Sequence, residues 1–259
     1  NFKDVGKVVR FNGAPKLDVW AGPRCNTIRG TDSTIFPPFI QAGKDILSFH
    51  SDLCRSLAAK YEGPAQYRGI PAYHYTATLG DISSTPEEKC FCPSPDTCLK
   101  KGTFDLSKCT GAPIVLTLPH FYEADEMYLQ NITGLRPEKQ KHQIYLDFES
   151  ITGTPLSVRK RLQFNINIHR VEKITQMQNL PTILAPILWV EEGMDLDQHF
   201  VNILEMSVFR TTFFVGAVRV IFTILAILLL ALAGYLHYTK RLKVQEIKRP
   251  NSNQISNIS

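Results

Sequence analysis

VIFTILAILLLALAGYL, residues Val220 to Leu236, carries no charge over seventeen positions. At ~1.5 Å per residue a helix of that length spans about 25 Å, a little short of a hydrocarbon core about 30 Å thick. Extending it upstream through Phe213 supplies the missing length, with Arg219 as the single charged interruption. A buried helix of a soluble protein would need a core surrounding Ile224 to Ala233 on every face. Instead Lys240, Arg241 and Lys243 follow the run, and such residues resist translocation and mark the cytoplasmic side. The expected layout is an extracellular part over 1–212, a transmembrane helix over 213–237 and a short basic cytoplasmic tail over 238–259. An exported domain anchored at its C-terminal end needs an earlier export signal, so the chain is expected to be the second part of a longer protein.

The formal charge of +5 invites a nucleic-acid reading, and locating it removes that reading. The tail carries Lys240, Arg241, Lys243, Lys248 and Arg249 against Glu246, and Arg219 lies in the span, which leaves residues 1–212 neutral. The basic flank suits anionic lipid headgroups. No basic field for nucleic acid is left upstream of it.

Outward from the span, the sequence reads as β structure with short helices. Val8, Val9 and Phe11 followed by Asn12-Gly13 suggest a strand and a turn within 1–24. Gly30 and Pro37-Pro38 make 25–40 irregular. Ser51-Asp52 suggests the cap of a short helix running through Leu57 to Lys60. Strands are expected at 70–79, 114–118 and 144–148. Leu162 to His169 alternates most cleanly, with Leu162, Phe164, Ile166 and Ile168 on one face and Gln163, Asn165, Asn167 and His169 on the other. Such a stretch predicts a half-buried antiparallel strand. TILAPILWV, 182–190, is apolar but broken by Pro186, which fits an edge or bulged strand.

All six cysteines, Cys25, Cys54, Cys90, Cys92, Cys98 and Cys109, lie upstream of the span. An even count there indicates an oxidising compartment and three disulfides, of which six cysteines allow fifteen pairings. Cys90-x-Cys92 is a poor match for paired zinc ligands, so no metal is expected. Asn131-Ile132-Thr133 is a glycosylation sequon on the same side of the span. Asn257-Ile258-Ser259 has the same form but would be cytoplasmic.

No enzyme signature appears: there is no G-x-S-x-G elbow, no H-E-x-x-H and no phosphate-binding glycine loop. His120 and His169 read as hydrogen-bonded structural residues. Glu191, Glu192, Asp195 and Asp197 lack the ligand pattern of a calcium loop and read as a solvated turn. Arg159-Lys160-Arg161 reads as a solvated strand entrance. No catalytic residue and no cofactor is expected.

Several stretches together resemble the class B scavenger receptor family, which includes fatty-acid translocase, the lysosomal integral membrane protein and the insect sensory neuron membrane proteins. They are Arg29-Gly30-Thr31-Asp32 running to Phe36-Pro37-Pro38-Phe39, Asp52-Leu53-Cys54-Arg55-Ser56, Lys89-Cys90-Phe91-Cys92 and Asp105-Leu106-Ser107-Lys108-Cys109. Leu118-Pro119-His120-Phe121, Thr152-Gly153-Thr154-Pro155, Lys160-Arg161-Leu162-Gln163 and Pro186-Ile187-Leu188-Trp189 complete the series. Gly80-Asp81-Ile82-Ser83-Ser84 and Trp189-Val190-Glu191-Glu192-Gly193 resemble the arthropod members, sensory neuron membrane proteins in particular.

The resemblance implies part of a large antiparallel β-barrel ectodomain held by membrane spans at both ends, in the plasma membrane. It implies the pairing Cys25–Cys90, Cys54–Cys109 and Cys92–Cys98. It also implies an apolar, lipid-like ligand, such as an odorant, a pheromone, a fatty acid or a lipoprotein lipid, passing through a tunnel toward the bilayer. Leu162, Phe164, Ile166 and Ile168 are the tunnel-lining candidates, with ordinary core as the alternative reading of each. The implied partners are the bilayer and an odorant receptor or another membrane receptor. The alternatives are a scavenger receptor for lipids, apoptotic cells or microbes, and a protein-binding adhesion or trafficking receptor. The tail lacks cysteine, so palmitoylation there is unsupported.

Overall fold

A computed structural model describes residues 2–94 and 97–248. The chain forms two compact units, dividing between Val201 and Asn202. The first is built on one antiparallel sheet. Its strands are β1 (Ile46–His50), β2 (Arg55–Tyr67), β3 (Ile70–Ala77), β4 (Thr103–Asp105), β5 (Val115–Thr117), β6 (Ile144–Phe148), β7 (Pro155–Ile168) and β8 (Ile183–Asp195). Two one-turn helices interrupt them, α1 (Ser107–Thr110) and α2 (Lys139–His142). The strand order is β1-β2-β3-β6-β7-β5-β4, with β8 paired to β7. The sheet is open among the described residues: β1 and β4 end it on two sides rather than pairing into a closed barrel.

Expectation and structure part at three places before the site is reached. Residues 55–60 are the start of β2 and not a helix. A 3-10 turn over Ser51–Leu53 is stopped by Cys54 at φ 48°, after which pairing to β1 and β3 outweighs the helix preference of Leu57-Ala58-Ala59-Lys60. Residues 1–24 form only isolated bridges, although Asn12-Gly13 does turn the chain, with φ of 50° and 82°, between bridged Phe11 and Ala14. β8 continues beyond Val190 to Asp195, so Glu191 and Glu192 are strand residues. Opposite Pro186 the β7–β8 register slips between Phe164 and Asn165, the bulge that a residue without N–H imposes.

The outer edge of β1 is covered by the chain itself. Thr31 lies parallel to Ser48, the Thr31 N–H donates to Leu47 O at 3.0 Å and the Phe49 N–H to Thr31 O at 2.7 Å. This contact requires glycine at position 30, whose φ is +91° and whose Cβ, if present, would stand 2.1 Å from Leu47 O. Asp32 then accepts from the N–H groups of Thr34 and Ile35, both at 2.9 Å, and those bonds hold its carboxyl below the usual range. The β6–β7 turn closes in the same way: buried Glu149 accepts from Ile151 N at 2.7 Å and from Thr152 N and Oγ1 at 2.6 Å.

The core beneath the loops is aromatic and disulfide-tied. Disulfides join Cys25 to Cys90, Cys54 to Cys109 and Cys92 to Cys98. Cys25, Cys54 and Cys92 are buried with Trp20, Leu53, Phe104, Leu106 and Leu116. Arg55 is buried here as well. Its guanidinium lies 4.4 Å from the Phe91 ring and 5.0 Å from the Phe104 ring, and it meets Glu88 at 3.0 Å.

The second unit is helical. From α3 (Gln198–Leu204) the chain runs through a π-helical turn over Glu205–Arg210 into α4 (Thr211–Lys248). Its apolar side chains, Phe213, Ile221 and Leu230 among them, are exposed, and the helical stretch Gln198–Gln245 is long and apolar enough to cross a membrane. The helix continues past the expected span end at 237; the rest of the expected tail, including Asn257, lies outside the described residues.

Candidate functional site

β7 is covered on both faces, and the alternation of its sequence separates two different environments. The side carrying Gln163 and Asn165, expected to be solvated, is the more deeply buried: Asn165 is 0% and Gln163 2% exposed. Their polar groups are met within the protein. Asn165 Nδ2 donates to Val115 O at 2.9 Å and Thr117 Oγ1 at 3.0 Å, and Gln163 Nε2 donates to Asn165 Oδ1 at 2.9 Å. Gln163 Oε1 accepts from the His120 N–H at 2.8 Å, which fastens the turn over Pro119–Phe121 on top of the strand. Burial without cost requires this complete pairing.

The other side carries Val158, Lys160, Leu162 and Phe164, and two adjoining cavities open along it. The smaller, about 110 Å³, is lined by Leu53, Leu106, Leu116, Leu162, Phe164 and Val190. The larger, about 470 Å³, has a mixed lining, with Phe36, Phe49, Leu146, Val158 and Met194 beside Asp32, Ser33, Thr34 and Ser51. Both linings include the same four polar residues, His50, Asp52, Lys160 and Glu192. The cavities therefore share a polar neck, with a mostly apolar wall on the smaller side and a mixed wall on the larger.

The neck is ordered by strand register. Lys160 pairs with Glu192 across the β7–β8 ladder, Nζ to Oε2 at 3.0 Å. Arg161 pairs with Glu191 at 2.6 Å, and Arg159 bonds Asp195. Arg159-Lys160-Arg161 and the acidic residues Glu191, Glu192 and Asp195 thus pair across one ladder; the carboxylates are exposed as expected, but on a strand and not in a turn. Burial pushes the His50 imidazole down to about 4, with Lys160 acting in the same sense against Asp52 and Glu192.

The four tunnel candidates do not share one space. Leu162 and Phe164 line the smaller cavity. Ile168 lines a separate cleft of about 600 Å³ together with Met127, Tyr128, Asn131 and Leu184. Ile166 lines none of the cavities described here. Asn131 is exposed at the mouth of that cleft. A still larger groove of about 680 Å³ follows the covered edge of β1, but its apolar walls stand open, with Phe39 67% and Val9 79% exposed. Lys160 and Glu192 were missed because each looked like ordinary surface charge. The signal that finds them is the opposite sign of two runs on strands that pair antiparallel. Among the described residues no group of three or more His, Cys, Asp or Glu is placed to hold a metal ion.

The profile of the CD36 family matches residues 1–237. Sensory neuron membrane protein 1 of Apis mellifera is 52% identical over 219 residues, covering 85% of this chain and 42% of that protein. The protein of the same name from Pediculus humanus subsp. corporis is 43% identical over 224 residues, covering 86% of this chain and 43% of the relative. That from Aedes aegypti is 37% identical over 248 residues, covering 95% and 46%. The chain spans somewhat less than half the length of these relatives.

Proposed function

Because this chain belongs to the CD36 family, we propose that it forms the membrane-anchored part of a receptor that takes up an apolar, lipid-like ligand and passes it toward the bilayer or a partner receptor. The observation that carries this reading is the pair of cavities on the Leu162–Phe164 side of β7, which place apolar side chains on both sides of one neck. An apolar path lets an acyl chain leave water, at about 0.8 kcal/mol per CH₂ buried, on its way between carrier and membrane. The mechanism needs no covalent chemistry: Leu162, Phe164 and Val190 provide contact area, and the neck residues decide which head groups pass.

Three further elements belong to this proposal. The open sheet closes into a barrel with the remainder of the receptor, which also supplies a second membrane span. α4 crosses the plasma membrane with the basic residues 240–243 on the cytoplasmic side, and Asn131 is glycosylated on the other. The names of the relatives support a place in the membrane of sensory neurons, with an odorant receptor as partner.

The test is equilibrium binding of a fluorescent fatty-acid analogue to the full-length protein in lipid nanodiscs. Saturable binding that Leu162→Trp, Phe164→Trp or both weaken is expected. Absence of saturable binding across a panel of acids, esters and alcohols, or binding unaltered by either substitution, overturns the reading.

A further inference from the structure

The opposite side of β7 holds a cluster that the lipid path does not use. His120 and His142 stack face to face, with ring centroids 4.4 Å apart and planes inclined by 11°. His142 is 4% exposed. Both rings are set by one short segment, Arg136-Pro137-Glu138, whose proline has no N–H to offer. The Arg136 N–H donates to His120 Nδ1 at 3.0 Å and the Glu138 N–H donates to His142 Nδ1 at 2.8 Å. A neutral imidazole that accepts at Nδ1 carries its proton on Nε2. With Nδ1 of each ring occupied as an acceptor for this segment, Nε2–H is the donor that each ring has left to offer. Burial, aided by His120, Arg161 and Lys141 and opposed by Glu138, holds the His142 imidazole below its ordinary value, so it stays a neutral donor.

These rings line a cavity of about 520 Å³ with Arg136, Lys141, Arg161 and Trp189. Two carboxylates line it as well. Glu138 is met by Lys141 at 2.8 Å, and Glu191 by Arg161 at 2.6 Å. Those pairings leave Arg136 as the surplus cation of the lining. Arg161 is fixed from behind by Gln143 O at 2.8 Å and Gln140 O at 3.3 Å. Positive charge, two imidazoles with free Nε2–H donors and an indole thus line one space.

We propose that this cavity is a binding site for a phosphate-type oxyanion, with the Nε2–H groups of His120 and His142 and the Arg136 guanidinium as its donors. The volume exceeds that of an inorganic ion, so the occupant is a phosphate ester whose body lies against Trp189. A phosphorylated soluble molecule and a phospholipid headgroup share that chemistry.

The test uses the full-length protein in nanodiscs with ¹⁵N-labelled histidine, observing the Nε2 resonances. Inorganic phosphate is titrated into phosphatidylcholine nanodiscs, and in a second arm phosphatidate replaces part of the lipid. Saturable shifts of both histidines with inorganic phosphate support a soluble ester; shifts with phosphatidate alone support a headgroup. His120→Asn separates the site from the fold, because asparagine tolerates the φ of 55° at this position and its Oδ1 can still accept from Arg136 N–H while the Nε2–H donor is gone. His120→Asn and Arg136→Gln are each expected to weaken binding about tenfold with the unfolding transition unchanged. No saturable response in either arm, or binding unaltered in both variants, overturns the proposal. Neither result depends on whether the cavities across β7 carry an apolar ligand.

Discussion

Lys160 and Glu192 face each other across the β7–β8 ladder at 3.0 Å and stand where the two cavities meet. With side chains 30% and 69% exposed, the pair contributes little to stability, about 1 kcal/mol or less. Its effect is on what passes. An acyl chain entering the neck must displace water from both charges, which is costly for a paired ion and costlier for a single one. The double substitution Lys160→Met with Glu192→Met is expected to tighten binding of an uncharged apolar probe by about tenfold. Glu192→Met alone, which leaves Lys160 without its partner, is expected to favour anionic probes over neutral ones. Fluorescence titrations with an acid and its methyl ester check both; equal responses to the two probes would contradict the assigned role.

His50 makes the same neck sensitive to acid. Its folded-state pKa of about 4 lies below the ordinary 6.5, through burial first and Lys160 second, with Asp52 and Glu192 opposing. A lowered histidine pKa means that the unfolded chain binds the extra proton, so stability is full above about 6.5 and is lost progressively as the pH falls toward about 4. Buried His142 is shifted in the same direction and adds to the trend. Denaturant unfolding at pH 7 and pH 5 should show a drop in midpoint for the unmodified protein and a smaller drop for His50→Gln.

Much of the architecture can be read from residues alone, and the failures share a cause. The strands at 70–77, 144–148 and 155–168 carry alternation or short apolar runs that survive any context. The period of β7 tells which residues share a face but not what covers each face. Gln163 and Asn165 look solvated until Thr117 and the turn at His120 are laid over them. Residues 55–60 have good helix formers, and only the neighbours β1 and β3 overrule that preference. Residues 159–161 and 191–192 each look like solvated charge, because their pairing is a fact of register and not of local composition. The cysteine pairing is likewise beyond local reading, since fifteen arrangements satisfy the same count.

Asn165 is the most exacting position on the covered side of β7. It is fully buried and supplies donors to Val115 O and Thr117 Oγ1 and an acceptor to Gln163 Nε2. Asn165→Leu keeps the volume and removes those bonds, at about 1–3 kcal/mol for each group left unmet, although Gln163 Nε2 still reaches Thr117 Oγ1 at 3.2 Å. A total loss of about 3 kcal/mol is expected. Asn167→Leu, at an exposed position two residues on, should cost less than about 0.5 kcal/mol. Unfolding midpoints of the two variants side by side make the comparison; similar losses would mean that the buried network is not what holds this face.

The three disulfides are unequal in the length of chain they close. Cys25–Cys90 and Cys54–Cys109 span sequence separations of 65 and 55 residues, and Cys92–Cys98 spans 6. If the bonds act by restricting the unfolded chain, each long loop is worth about 4 kcal/mol and the short one about 2 kcal/mol. Replacing Cys92 and Cys98 together by serine should therefore leave a folded protein with a modestly lowered midpoint. The paired change Cys54→Ser with Cys109→Ser should lower it about twice as far, since that bridge also ties the start of β2 to α1. Equal losses from the two double variants would show that native-state packing, and not loop length, sets what each bridge contributes.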